Sequence, residues 1–400
     1  MTFCQDGGLI LVAMPIKEKE PLKNHYQNSD QQKKVANTDL DNKEKKISNI
    51  IPSRYAFLKP HPFISGDRFY NHQHEYQENS VYRLVQMFIE GLYNRYYYKS
   101  IGKQNWFIKP EIQARSIEPR ITWIGHATFL IQVNNINILT DPIWGRPSFL
   151  FPRIIQPGIA LDKLPALDAV IISHNHWDHL EKKSITYLAE KNPQAQFFVP
   201  MGDKKLLESW DIKYIYEKLW WESEKISISN NQPSSHITFT FLPAYHWSQC
   251  NFWNRNCSLW GSWMIETNNT RIYFGGDTAY SKHFKEIGTH YSNDIDFALL
   301  PIAPCEPKRM RYTHINAKQA GQGLLDLGAR HFIPMHWATF FFGTDRFFTP
   351  IEYLKNWWKE HESKLSNCHL HILKCGEHIQ FNIENSLIHT IDKVFNRIQP

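Results

Sequence analysis

The sequence predicts a mixed α/β fold for most of its 400 residues. Short apolar runs of strand length recur from residue 119 onward, and segments with helical periodicity lie between several of them. No repeat or linker interrupts residues 119–390, and an apolar fraction of 42% is sufficient for a large core. We therefore expect one folded domain over residues 119–400, an N-terminal extension over 51–118 and a polar tail over 1–50.

The tail differs from the rest of the chain in composition. Residues 17–49 are rich in Lys, Asn, Gln and Asp and nearly lack large apolar side chains, so we expect them to be disordered. Acidic residues are interleaved with the lysines, and the net charge of +6 is spread along the chain, which argues against a nucleic-acid partner. We expect a cytoplasmic chain with reduced cysteines and only peripheral membrane contact, because neither a signal peptide nor an apolar run of membrane-spanning length is evident.

An amphipathic helix is predicted over residues 80–98 of the extension, with Asn79 or Ser80 as its N-cap. Core packing is the expected role of its apolar face, and a membrane or partner surface is the alternative. The apolar face comprises Val81, Leu84, Phe88, Leu92 and Tyr96.

Strands and helices alternate in the main domain. The apolar runs 120–133 and 136–144 flank the turn sequence Asn134-Asn135 and predict a hairpin. Further strands are predicted at 169–172 and within 195–200, 235–247, 258–266, 270–280, 295–304 and 330–337, and helices within 181–192, 203–210, 316–329 and 350–364.

Residues 174–179, "HNHWDH", follow one of these predicted strands and have the composition of a metal site. In extended backbone, His174 and His176 point to the same side and can bind one ion. Asp178 and His179 follow as the chain turns toward a helix, and they can bind a second ion nearby. Four ligands do not complete two sites, so further ligands are required elsewhere.

Suitable residues follow three later strands. His246, Asp277 and His336 each come directly after an apolar segment, where loop residues commonly carry function. Two glycines before Asp277 allow close backbone approach, and a carboxylate can bridge two ions. We therefore predict that all seven side chains converge on one binuclear metal centre.

The ordered motifs H-x-H-x-D-H, His, G-G-D-T and His, together with "LTDP" at 139–142, resemble the metallo-β-lactamase superfamily over roughly residues 119–380. The resemblance implies an αββα sandwich of two mixed sheets with helices outside and metals at one rim. It implies one zinc ion on His174, His176 and His246. It implies a second on Asp178, His179 and His336, with Asp277 bridging, and with Asp178 and Asp277 as catalytic residues. Iron or manganese are alternatives to zinc.

Six further residues have open roles. By the resemblance, Asp141 orients a ligand histidine; a turn aspartate before Pro142 is the alternative. His314 matches a family position near a substrate phosphate, although Thr313 precedes it where the family has Gln. The alternative is a helix N-cap or a satisfied polar residue before the helix. A structural role is favoured for His126 in the motif "GHAT". The basic residues Lys308, Arg309 and Arg311 could attract a phosphate or an anionic lipid surface, but a solvated loop is favoured.

A narrower resemblance comes from motifs such as "TWIGHATFLI" (122–131), "PIAPCEP" (301–307) and "MHWATF" (335–340). They are similar to those of phospholipase D enzymes that hydrolyse N-acyl-phosphatidylethanolamine. The resemblance implies release of N-acylethanolamine and phosphatidic acid by a hydroxide shared between two metal ions. It also implies a phospholipid substrate, a peripheral membrane surface and a homodimer.

Apolar residues near the metal motifs fit a lipid substrate. The aromatic segments 147–161 and 339–348 are expected to form an apolar groove or rim beside the metals, with core packing as the alternative. Two other functions stay open. One is a lactonase or other ester hydrolase on the same scaffold, and the other is a lipid-binding protein with a vestigial site.

Overall fold

The computed structural model describes residues 62–65, 67–71, 85, 88–94, 96–97, 105–227, 236–251 and 253–381. The predictions for the tail over 1–50, for Val81 and Leu84, and for the cap at Asn79 or Ser80 lie outside these residues. The five cysteines in the described part of the chain are free thiols. None of the helices described has the length and apolar composition needed to cross a bilayer.

The strands are β1 (Phe63–Ser65), β2 (Arg68–Tyr70), β3 (Arg120–Gly125), β4 (Thr128–Val133), β5 (Ile136–Thr140), β6 (Ala169–Ile171), β7 (Gln196–Pro200), β8 (Ile215–Lys218), β9 (Ser223–Ser227), β10 (His236–Leu242), β11 (Ser262–Glu266), β12 (Arg271–Phe274), β13 (Ile295–Pro301), β14 (Ala329–Met335), β15 (His369–Leu370) and β16 (His378–Gln380). The helices are α1 (Lys182–Lys191), α2 (Lys204–Glu208), α3 (His283–His290), α4 (Ala317–Leu327) and α5 (Thr349–Glu360). Residues 88–94 are also helical.

Two sheets of seven strands form the centre of the domain. The first has the order β16-β3-β4-β5-β6-β7-β8 and the second has the order β15-β14-β13-β12-β11-β10-β9. Each sheet is mixed, because antiparallel pairs occupy one half and the parallel strands β5 to β8 or β12 to β15 occupy the other. The parallel pairs place their carboxyl ends at a common edge, where loop residues from several strands can meet.

Side-chain alternation on β6 shows how the layers are organised. Ala169 and Ile171 belong to the core between the sheets, whereas Val170 belongs to a second apolar cluster with Ile185 and Leu188 of α1. Such strands are buried on both faces, so they are almost wholly apolar. Helices α3, α4 and α5 add apolar side chains to the core on the side of the second sheet. The αββα sandwich predicted from the resemblance is confirmed.

The structure contains elements that the sequence patterns did not predict. A turn at His126 and Ala127 divides the first apolar run into β3 and β4, so the predicted hairpin is a three-stranded meander. Strands β8, β9, β15 and β16 and helix α3 were also not predicted. Their sequences are short or rich in charged residues, for example "SEKIS" in β9, so they carry little periodic signal.

Core packing was the wrong expectation for the described residues of the extension helix's apolar face. Phe88 and Leu92 are about half exposed, and Tyr96 is 75% exposed. The helix instead buries Asn94, whose side-chain amide donates to the carbonyls of Phe341 and Gly343 at 3.1 and 3.0 Å. The helical periodicity was present in the sequence, but the residues that cover each face depend on tertiary contacts.

Candidate metal centre

The centre lies at the rim where loops from both sheets meet. Residues 174–179 follow β6 of the first sheet, while His246, Asp277 and His336 follow β10, β12 and β14 of the second. Gly276 permits this approach: it has φ +55°, and a Cβ there would lie 2.5 Å from the Cβ of Ser173. A side chain at this position would separate the two sheets at the rim.

Three histidines form the first ligand group. The Nδ1 atom of His176 lies 2.8 Å from Nε2 of His174 and 3.2 Å from Nε2 of His246. Nitrogens bound to one tetrahedral ion at about 2.0–2.1 Å are roughly 3.3 Å apart, so this spacing suits a shared cation. His176 uses the opposite ring nitrogen from its two neighbours, a detail that residue spacing alone does not predict.

The second ligand group contains Asp178, His179 and His336. The Oδ2 atom of Asp178 lies 3.5 Å from Nε2 of His179 and 3.8 Å from Nε2 of His336. The ligand-type atoms of these three residues also lie within 4.8 Å of a fourth such atom, a ring nitrogen of His126. The sequence interpretation had treated His126 as a structural residue, so its place in this group was missed.

Asp277 lies between the two groups and contacts both. Its Oδ2 atom is 4.0 Å from Nε2 of His174, 3.8 Å from that of His246 and 3.4 Å from that of His179. Its Oδ1 atom is 3.1 Å from Nε2 of His336. Each carboxylate oxygen therefore faces imidazoles, which is the arrangement that a bridging carboxylate requires.

Hydrogen bonds behind the centre orient its histidines. The Nδ1 atoms of His246 and His336 lie 2.7 and 3.1 Å from the carbonyls of Thr313 and Ala303. A carbonyl only accepts, so each Nδ1 carries a proton, and Nε2 is the atom of each ring that can present a lone pair to a metal ion. Neutral imidazoles with fixed tautomers are the form that binds a metal ion.

Asp141 supports one histidine from each group. Its Oδ2 atom accepts from Nδ1 of His179 at 2.7 Å and from the hydroxyl of Ser173 at 2.6 Å. The Ser173 oxygen in turn lies 2.9 Å from Nδ1 of His174 and accepts its proton. Asp141 has φ +32°, an uncommon backbone conformation that these contacts hold in place. Asp141 therefore lies at a turn and also orients two of the candidate ligand histidines, His179 directly and His174 through Ser173.

The donor set fits a pair of divalent cations. The inward Nε2 atoms of His179 and His336 and the Oδ1 atom of Asp277 are buried and form no hydrogen bond of regular geometry, although Oδ1 and the His336 nitrogen are only 3.1 Å apart. Buried polar atoms are normally satisfied, so several such atoms close together fit a shared cation. Imidazole and carboxylate donors are typical of zinc and are also used by iron and manganese.

Burial and opposite charges perturb the acids and bases of the centre. Burial lowers the pKa of His174 and His246 well below the usual value. Burial also opposes the charged form of His336, but Asp277 and Asp178 outweigh it and raise its pKa to about 9. Likewise, burial opposes ionisation of Asp277, but His336 and His179 keep its pKa well below the usual value.

His314 lies beside the same carboxylate. Its Nε2 atom is 3.2 Å from Oδ2 of Asp277, and its side chain is 13% exposed, so it borders the accessible side of the centre. The N-cap alternative is wrong for this residue: Asn316 caps α4 through a capping box with Gln319. Thr313, the residue that departs from the family pattern, supplies the carbonyl that orients His246.

The basic loop before His314 is less solvated than expected. Arg309 forms an ion pair with Glu90 of the extension helix, and Arg311 donates to the carbonyl of Pro304. Both arginines therefore take part in structural contacts, whereas Lys308 begins the 3-10 helix Lys308–Tyr312. The expectation of a solvated loop was wrong for Arg309 and Arg311.

The aromatic segment 339–348 packs both into the core and against the centre. Phe340 and Phe341 are buried, and the rings of Phe340 and Phe342 lie 5.0 and 5.7 Å from that of His126. In the segment 147–161, Ile154 and Ile155 are buried, whereas Phe149 is exposed. Core packing therefore accounts for part of both segments.

Comparison with known proteins assigns the class of this fold and site. The family model for the β-lactamase superfamily domain matches residues 136–337, half of the chain. The chain therefore belongs to the β-lactamase superfamily, as the ordered motifs predicted.

Two relatives illustrate the range of this similarity. An uncharacterized protein of Mycobacterium tuberculosis is 35% identical over 250 residues, covering 58% of this chain and 62% of that protein. The N-acyl-phosphatidylethanolamine-hydrolyzing phospholipase D 1 of Caenorhabditis elegans is 35% identical over 239 residues. The match covers 57% of this chain and 66% of the Caenorhabditis elegans protein. The match thus spans somewhat less than two thirds of each relative.

Among solved structures, the chain is similar to a possible metal-dependent hydrolase from Veillonella parvula. The TM-score is 0.51 at 17% identity, and the match covers 66% of this chain and 100% of the other. At this identity the similarity supports the fold alone.

Proposed function

We propose that this chain is a metal-dependent hydrolase of phospholipase D type that cleaves N-acyl-phosphatidylethanolamine to N-acylethanolamine and phosphatidic acid. The observation that carries the proposal is a pair of adjacent ligand groups that share Asp277. The similarity to the named Caenorhabditis elegans phospholipase supports the choice of lipid.

In this proposal the first group, His174, His176 and His246, holds one ion. The second group, Asp178, His179 and His336, holds the other, and Asp277 contacts both. Zinc is the proposed metal, because the donors are imidazoles and carboxylates. Two such ions supply Lewis acidity toward a phosphodiester and lower the pKa of water when bound.

The chain's own polar residues orient the substrate. His314 is close to Asp277 and partly exposed, so its ring can donate a hydrogen bond to a phosphate oxygen as the diester enters. Asp141 and the backbone carbonyls of Thr313 and Ala303 hold the ligand histidines in the binding tautomer. This arrangement is prepared before substrate binds, which limits the cost of reorganisation.

Exposed apolar side chains near the centre favour a membrane surface as the source of substrate. The extension helix exposes Phe88, Leu92 and Tyr96, and Gly91 of the same helix packs closely against Leu150, next to the exposed Phe149. Amphipathic helices of this kind lie in the headgroup region of a bilayer. A homodimer through the same face is the competing use of this surface.

Aromatic residues also border the first ligand group. Trp177 follows His176, is half exposed and donates from its indole to the carbonyl of Cys250. Trp253, in the same loop as Cys250, is 87% exposed. Indole side chains are favoured at the water–lipid boundary, so this loop is suited to contact the membrane.

A lipid panel assayed by mass spectrometry tests the proposal. Wild-type protein with zinc should release phosphatidic acid and N-acylethanolamine, and Asp277→Asn should not. His371→Gln is the matched control, because His371 is buried and its ring nitrogen lies 3.1 Å from that of His331, at the opposite end of β14 from His336.

The same assay distinguishes the competing function. Opening of lactones or cleavage of simple esters without any phosphatidic acid would contradict the phospholipase proposal and favour an ester hydrolase. A wild-type protein that binds fewer than one ion per chain would contradict both, and would favour a lipid-binding protein with a vestigial site.

A further inference from the structure

His126 is a buried histidine beside the second ligand group that the proposed metal assignment does not use. It occupies the turn between β3 and β4, and its side chain is fully buried. Its Nε2 atom lies 3.0 Å from Oδ2 of Asp178, and its ring centroid is 4.0 Å from that of His336 and 5.0 Å from that of His179. It therefore touches every member of that group.

The backbone of this turn is fixed by contacts on both sides. His126 has φ +55°, which is uncommon for a residue with a side chain. Its amide donates to the hydroxyl of Thr339 at 2.6 Å. Its carbonyl accepts from the indole of Trp123 at 3.0 Å and from the amide of His336 at 3.1 Å. The imidazole is thus held in place relative to the loop that carries His336.

The surroundings of its two ring nitrogens determine the tautomer of His126. Its Nδ1 atom is buried and has no hydrogen-bond partner. A proton on Nδ1 would leave a buried donor unsatisfied and would turn the Nε2 lone pair toward a carboxylate oxygen, which is repulsive. The proton therefore belongs on Nε2, where it is donated to Asp178. A protonated Nε2 has no lone pair for a metal ion.

We propose that His126 is a positioning residue for Asp178, and through it for the second metal ion. The inference rests on the proposed metal assignment. The Oδ2 atom of Asp178 lies 3.5 and 3.8 Å from His179 and His336, beyond hydrogen-bond distance, so His126 provides its close contact. Without this donor, the Asp178 carboxylate can rotate away from the ion.

Two substitutions of His126 test whether it acts as a hydrogen-bond donor or as a metal ligand. His126→Gln keeps an N–H group on a side chain of similar reach, whereas His126→Leu removes the donor and keeps the apolar volume. Each variant, the wild type and the control His371→Leu are loaded with zinc. Ions per chain and dissociation constants are measured by competition with a chromophoric chelator, and cobalt-substituted samples are compared by visible absorption. Thermal unfolding without metal shows whether each variant is folded.

In His126→Leu, affinity for one of the two ions should fall about 10- to 100-fold, the usual effect of losing a group that orients a ligand. The other ion should bind as in the wild type, and His126→Gln should restore the affinity and the cobalt spectrum. The proposal is overturned if the Leu variant keeps both ions at wild-type affinity, or if the folded Gln variant loses the ion as the Leu variant does. These readouts do not involve lipid, so a failure of the phospholipase proposal is recognised separately.

Discussion

The two ligand groups of the centre lie side by side but differ in charge. In the group of three histidines, burial lowers the pKa of each ring, to about 3 for His176, so the rings are already neutral. In the other group, burial acts against the charged forms, but carboxylates and imidazoles stabilise each other as ions, and the pKa of His336 rises to about 9. The first group is therefore ready to bind a cation, whereas the second must first release protons.

The largest loss of activity is expected when Asp277, the residue that both groups share, is replaced. Asp277→Asn should lower hydrolysis by at least about 1,000-fold, the scale of losing direct transition-state stabilisation. Metal analysis should find fewer than two ions per chain, because the amide cannot neutralise two cations. Full metal content with full turnover in this variant would rule out a shared carboxylate.

A smaller loss is expected where one carboxylate supports both groups. Asp141→Asn should weaken metal affinity about 10- to 100-fold, since it disturbs the proton on His179 directly and that on His174 through Ser173. Chelator competition measures both ions. If the affinity for only one ion changes, the hydrogen bond through Ser173 does not control metal binding by His174.

The contrast in proton content predicts different pH dependence for the two ions. As the pH falls below 9, binding to the second group should have to displace protons from both His336 and His179, whose pKa is also raised, so affinity should fall by more than about tenfold per pH unit. Affinity at the first group should be nearly flat over pH 6–9, because its pKa values are lowered. Titrations of the metal-free protein at several pH values test this, and parallel slopes for both ions would contradict it.

The raised pKa of His336 also affects the stability of the metal-free protein. The pKa of His336 is raised above its usual value of 6.5, so its ion pairs stabilise the fold fully below that pH. This contribution should be lost as the pH rises through about 9. Thermal unfolding in chelator should therefore show a falling Tm between pH 7 and 9, and His336→Gln should reduce that slope and leave the part due to His179, whose pKa is also raised.

The smallest effect on metal affinity is expected for Asp203, which lies behind the three-histidine group. Asn175, between His174 and His176, donates to Oδ1 of Asp203 at 2.8 Å, and burial raises the pKa of Asp203 to about 7. An unfolded Asp ionises near 3.8, so this residue should cost stability as the pH rises from about 4 through 7. Asp203→Asn should raise the unfolding free energy at pH 8 by a few kcal/mol, at about 1.4 kcal/mol per pKa unit, and change it little at pH 4. Metal affinity should stay close to that of the wild type.

Much of the fold and the site was predictable because the relevant signals are local. Strands buried on both faces, such as β6, are apolar runs, and the polar residues that follow them stand out in the sequence. The candidate ligands were found in this way, and the structure brings all seven together. Helix α3 was not predicted, since its sequence "HFKEIGTH" has few apolar residues and a histidine at each end.

The sequence by itself determined the residue types at the strand ends, and with them the class of fold and the donors available to a metal. The tertiary structure decided three things: the contact of His126 with Asp178, the ring nitrogen that each histidine presents, and the exposure of the extension helix. Each depends on atoms far apart in the chain. The turn at His126 meets the loop after β14 only when the sheets pack, and periodicity shows that a helix has an apolar face without showing what covers it.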